Sequence, residues 1–124
     1  MCKGEHYTPK HFTLDEFVCP CCGRLPDGGI DDNLLEVLDK IREAIGAPLY
    51  VSSGYRCRAH NEDVGGVADS QHIHGRAADV YADGEITPLQ IAALAEKAGA
   101  DGIGIYDDFC HIDTRGACAR WCEW

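Results

Sequence analysis

The chain predicts an α+β fold, with a small central antiparallel sheet and about three helices packed around it. Helical and strand patterns follow one another without the regular β-α-β alternation that builds a doubly wound parallel sheet. The last two strand patterns are separated only by Asp107-Asp108, a hairpin-like corner. Length sets the scale: 124 residues, 45% of them hydrophobic, bury one continuous core without a second module. One domain over residues 1–124 is therefore expected, loosely ordered over 1–11.

Each element has a local cause. Thr13 with Glu16 three residues on forms a capping box for a short helix carrying Leu14 and Phe17, which runs into Cys19-Pro20-Cys21-Cys22-Gly23. After a turn-rich stretch, Asp31 or Asp32 caps a helix whose apolar positions Leu34, Leu35, Leu38, Ile41 and Ile45 recur at three and four, and Gly46 ends it. Residues 49–52 read as a strand, 58–64 as a short helix or turn, 65–68 as a loop and 77–81 as a second strand. Thr87 as N-cap, Pro88 at the first helical position and Gly99 after the last turn bound a helix over 88–98. Residues 102–106 and 109–113 complete the expected strands, and no internal repeat or low-complexity tract interrupts the chain.

Charge and composition exclude several function classes. Twenty-one acidic against 11 basic residues leave a formal charge of -10, whereas a nucleic-acid partner requires a basic face. No run approaches the roughly 18 apolar residues of a membrane span. Met1-Cys2-Lys3-Gly4-Glu5-His6 has no apolar stretch behind its charges, so synthesis in the cytoplasm without a signal peptide is expected, with any exit by another route.

The chemistry concentrates in two segments. In Ser70-Gln71-His72-Ile73-His74-Gly75-Arg76-Ala77-Ala78-Asp79 a histidine is followed seven residues later by an aspartate, and a further histidine lies in Phe109-Cys110-His111-Ile112-Asp113. Asp79 sits in a small, apolar strand, where a buried carboxylate is costly unless it is paired or bound to a metal. His111 interrupts an apolar strand in the same way. His72, in a Ser/Gly-rich loop, reads by itself as an ordinary surface histidine, but one divalent ion resolves all three placements together. Two imidazoles and one carboxylate make a zinc ligand set with the fourth position open, and an open position holds water for catalysis. The residues thus read as a zinc hydrolase. Asp113, two residues beyond His111, leaves its strand on the same face and can orient that ring. His74 is weighed between groove lining and plain surface, and His6, His11 and His60 carry no spacing signal.

Ser70-x-His72-x-x-Gly75-x-Ala77-x-Asp79 followed by His111-Ile112-Asp113 resembles the zinc D-alanyl-D-alanine carboxypeptidases and their phage endolysin relatives, which share a fold core with the Hedgehog signalling domain. Ser52-Ser53-Gly54-Tyr55-Arg56, Asn61 and Val64-Gly65-Gly66 match a further block of that family, and Thr114-Arg115-Gly116 through Arg120-Trp121 resembles the ending of its compact members. The resemblance implies zinc held by His72, Asp79 and His111, with a bound water as nucleophile on a peptide carbonyl. It also implies a general base at Asp108, three residues before the last histidine, with Asp107 as substitute and a plain turn aspartate as the alternative. Arg56 is implied to polarise the scissile carbonyl or hold a carboxylate by two hydrogen bonds, against an exposed ion-pair arginine, and Ser70 is implied to contact substrate.

Eight cysteines remain. Cys19 and Cys22 stand at C-x-x-C spacing around Cys21, and Cys2, Cys57, Cys110, Cys118 and Cys122 are scattered. A second, structural zinc on Cys19, Cys22 and later cysteines and a disulfide joining this cluster to Cys57 stay open as alternatives. Cys110 is expected to face the core as a small hydrophobe. The expectation as a whole is a monomeric zinc metallopeptidase that cuts amide bonds next to D-amino acids in peptidoglycan stem peptides. It would act as a D,D-carboxypeptidase or an L-Ala-D-Glu endopeptidase, reaching the wall by lysis or another non-classical route. The alternative is a degenerate, zinc-stabilised wall-binding domain.

Overall fold

The structure, a computed structural model, describes residues 8–66 and 70–123. Cys2 and His6, the expected loose order over 1–7, and the Val67-Ala68 part of the expected loop lie outside the described residues.

The capping box holds a 3₁₀ turn at Leu14–Phe17, with the Thr13 N–H donating to Glu16 Oε2 at 2.8 Å. Helix α1 (Asp32–Ile45) starts where the Asp31 carboxylate accepts the Leu34 N–H at 3.3 Å and stops at left-handed Gly46. Its inner face buries Leu34, Leu35, Val37, Leu38 and Ile41. Each such side chain contributes about 1.5–3 kcal/mol. Helix α2 (Arg58–Asp63) is short, and helix α3 (Pro88–Ala98) is capped reciprocally by Thr87 and Gln90. The bounds of α3 are those the sequence predicts. Helix α3 packs on α1 and on the sheet.

Five strands form one sheet: β1 (Leu49–Ser53), β2 (Ala77–Ala82), β3 (Gly102–Tyr106), β4 (Cys110–Asp113) and β5 (Ala119–Glu123), in the order β1-β2-β4-β3-β5. The first four pair antiparallel, as expected. Strand β5 is a correction, since it runs parallel to β3 and makes the sheet mixed. The chain leaving β4 crosses the end of β3 and returns along its other edge, so it is antiparallel to β4 and parallel to β3. Its half-exposed sequence Ala119-Arg120-Trp121-Cys122-Glu123 carries little strand signal, because an edge strand buries few of its side chains.

The period of two along each strand divides the sheet into two faces. Ala78, Val80, Cys110 and Ile112 join the apolar core formed with the helices. Asp79, His111 and Asp113 are therefore on the opposite face, and register pairs Asp79 with His111. On β3, Gly104 stands opposite His111 and Gly102 opposite Asp113.

Candidate metal centre

Pairing of β2 with β4 places Asp79 beside His111, with His111 Nδ1 3.0 Å from Asp79 Oδ1. His72 arrives from the tight loop before β2. The Ser70 hydroxyl accepts the His72 N–H at 3.1 Å, and the Gly75 N–H closes the turn onto the His72 carbonyl at 3.3 Å. His72 Nε2 then stands 3.3 Å from the same Asp79 oxygen. One ligand-capable atom from each of the three residues falls within 4.8 Å of the others. All three side chains are buried, at 2%, 5% and 8% exposure for His72, Asp79 and His111.

Their other hydrogen bonds decide which atoms face inward. The Gly54 carbonyl lies 2.7 Å from His72 Nδ1, so that nitrogen donates and Nε2 presents its lone pair to Asp79. Asp113 Oδ2 lies 2.7 Å from His111 Nε2, which donates and leaves Nδ1 facing Asp79. Arg56 Nη2 donates to Asp79 Oδ2 at 3.2 Å, turning Oδ1 toward the two rings. Three acceptor atoms thus converge, an arrangement that only extra protons or a cation relieves. The residue set fits a divalent ion of borderline softness.

Burial acts to raise the Asp79 pKa, but His111 and His72 outweigh it and hold the carboxyl well below the usual range. Burial acts to lower His111, yet Asp113 and Asp79 raise it. Asp113 is fully buried, which acts to raise its pKa, and His111 and Arg115 together hold it down. A raised His111 pKa works against metal binding, because a ligating ring nitrogen must first give up any proton it carries.

A family model described as Peptidase M15 matches residues 10–113, which include all three converging residues and Arg56. The chain belongs to the M15 peptidases. Members of the family are zinc-dependent, and the His-Asp-His donor set suits that ion. No curated protein matches the chain. Among the described residues no helix is long and apolar enough to cross a membrane.

In this M15 peptidase the cluster forms the floor of a cleft of about 640 Å³ whose walls include Arg56, Ser70, Tyr106, Phe109, Arg115 and Trp121. Arg56 is held by Ser53 Oγ at 3.0 Å and Asn61 Oδ1 at 3.2 Å as well as by Asp79, so it is not an exposed ion-pair arginine. Asp108 and Asp107 are exposed in the turn between β3 and β4, and the cleft wall there is made by Tyr106 and Phe109. His74 is exposed outside the cleft, and His11 lies 3.2 Å from Glu43 at the surface.

Three features escape a reading of the sequence. Arg115 grips Asp113, with Nη2 at 2.6 Å from Oδ2 and Nε at 2.9 Å from Oδ1, and stacks over Trp121. Trp121 in turn lies over Gly104, where a Cβ would collide with the indole, and its ring centroid is 5.1 Å from that of His111. Glu123 also lines the cleft. The alternation Gly102-Ile103-Gly104 is the available signal, since two glycines on one strand face mark a surface that other side chains must cover.

Cys110 is buried against the core as expected, and burial pushes its thiol up to about 12. The seven described cysteines are free thiols. Cys19, Cys22 and Cys57 form a second convergent group.

Proposed function

We propose that this chain is a zinc metallopeptidase that hydrolyses amide bonds next to D-amino acids in peptidoglycan stem peptides. The supporting observation is the convergence of three acceptor atoms from His72, Asp79 and His111 on the floor of an open cleft. When bound there, zinc supplies Lewis acidity that brings the pKa of a coordinated water toward about 7.

The protein's own groups do the rest. The Gly54 carbonyl and Asp113 fix the ring orientation of the two histidines, and such supporting partners set metal affinity as strongly as they set geometry. Arg56 holds Asp79 with one N–H of Nη2 and has a further N–H on each terminal nitrogen for a substrate carbonyl or carboxylate. Ser70 lines the cleft, where its oxygen accepts the His72 N–H and its O–H can donate to substrate. Stem peptides carry several carboxylates, and the Arg56 and Arg115 guanidiniums are suited to bind them. Two carboxylates are candidates for moving the proton from the nucleophilic water to the leaving amine. Asp108 has the family's spacing before His111, whereas Glu123 lines the cleft.

The test incubates zinc-loaded protein with purified peptidoglycan and soluble stem peptides and identifies the products by mass spectrometry. Release of free D-alanine indicates a carboxypeptidase, and release of a longer peptide an endopeptidase. Zinc-loaded protein that binds the wall and cleaves no stem peptide would reassign the chain as a metal-stabilised binding domain.

A further inference from the structure

We infer that Cys19, Cys22 and Cys57 form a second metal site, a thiolate site for zinc that fastens the N-terminal segment to the loop between β1 and α2. The three sulfurs lie within 4.8 Å of one another, although Cys57 is 38 residues from Cys19 in sequence. Cys19 Sγ is 3.7 Å from Cys57 Sγ. Sulfurs at about 2.3 Å from one zinc in a tetrahedron stand about 3.8 Å apart, whereas a disulfide requires about 2.05 Å. The observed separation is too long for a disulfide and matches the spacing of two thiolates on one ion.

The backbone is shaped for this. The Gly23 N–H donates to the Cys19 carbonyl at 2.7 Å and the Cys19 N–H to the Arg24 carbonyl at 2.9 Å, curling the C-x-x-C segment so that Cys19 and Cys22 point one way. The Cys57 N–H donates to Cys19 Sγ at 3.4 Å, the hydrogen bond that a ligating sulfur receives from its supporting shell. Cys22 and Cys21 are exposed, so an ion can enter from solvent. Cys21 is not one of the three converging thiols, but it adjoins Cys22 and its exposed sulfur is a candidate for the fourth position.

The site has a structural consequence. Cys57 directly follows Arg56, which holds Asp79, and lies three residues after Gly54, whose carbonyl orients His72. The Tyr55 N–H donates to the Phe17 carbonyl at 2.8 Å, a second tie between the same segments. An ion on the three thiolates anchors the loop from which the His-Asp-His cluster takes two of its supports. The metal-binding claim itself does not depend on the proposed activity.

The experiment titrates reduced, chelator-stripped protein with zinc, and in parallel with cobalt(II), whose thiolate charge-transfer absorption reports sulfur ligation. The full chain should take two ions. Cys22→Ser and Cys57→Ser should each take one and lose the thiolate band, and His72→Ala should take one and keep it. Cys57→Ser should also melt at least about 5 °C lower in zinc. Because Cys57→Ser risks misfolding, Cys22→Ser, altered at an exposed thiol, decides the matter. Undiminished stoichiometry in Cys22→Ser, no thiolate band in the full chain, or a Cys19–Cys57 disulfide in peptide maps of the native protein would each overturn the inference.

Discussion

His72, Asp79 and His111 are all buried, two of them stand on register-paired strands, and every ring nitrogen has an assigned partner. Cys19, Cys22 and Cys57 lie outside the sheet, only Cys19 is buried, and the second segment is tied to the first by the Cys57 N–H on Cys19 Sγ and the Tyr55 N–H on the Phe17 carbonyl. The difference concerns what organises the ligands. Strand pairing sets the position of Asp79 and His111 before any ion arrives, because those residues are held by the ladder and the core beneath it. The thiols sit on two loop segments joined by the Cys57–Cys19 and Tyr55–Phe17 hydrogen bonds. Because two of the three thiols lie outside the core, a bound ion should add more order there than at the strand-held cluster.

Chelation separates the two cases most strongly. Amide exchange at residues 19–24 should accelerate by about 10²-fold or more on zinc removal, while residues 77–80 and 110–113 should change by less than about tenfold. Equal acceleration in both regions would break the comparison. Within the cleft, Asp108→Asn and Glu123→Gln identify the carboxylate that moves the proton. Replacing the true base should lower kcat by about 10²-fold with metal content unchanged, and replacing the other should matter little. Full activity in both variants would remove each from the mechanism.

Asp113→Asn probes how far the buried cluster depends on its supports. His111 would lose a charged acceptor, and zinc affinity should fall by about 10- to 100-fold in a competition assay. Unchanged affinity would mean that the strand alone holds the ring. The pH response is a smaller effect with opposite signs in the two states. Asp113 and Asp79 raise the His111 pKa above the ordinary value of about 6.5, so the stabilisation of chelated protein is complete below that pH and is lost as pH rises through the folded value. Zinc-loaded protein must expel the same proton and should lose metal as pH falls through that window. Melting curves of the two forms that run parallel across pH would contradict this.

Much of this is legible in the chain. Thr87, Pro88 and Gly99 bound α3 because caps are local chemistry, and Asp79 with His111 stands out because charge interrupts two apolar strands. The remainder depends on contacts distant in sequence. Cys57 joins Cys19, Arg56 reaches Asp79 and Trp121 covers Gly104 only once the sheet has formed, and no spacing within one segment encodes such meetings. Strand β5 is hidden because its pairing with β3 places a half-exposed sequence on an edge. Asp108 has the family spacing yet stands exposed beside the cleft wall, which is why Glu123 enters the comparison.

The most direct measurement returns zinc stepwise to metal-depleted protein while following stem-peptide hydrolysis in the full chain, Cys22→Ser and His72→Ala. Hydrolysis should recover in the full chain and, with one zinc per molecule, in Cys22→Ser, and should never recover in His72→Ala at any zinc level. Hydrolysis by His72→Ala, or hydrolysis by the full chain that is indifferent to zinc, would contradict the assignment of His72, Asp79 and His111 as the catalytic metal centre.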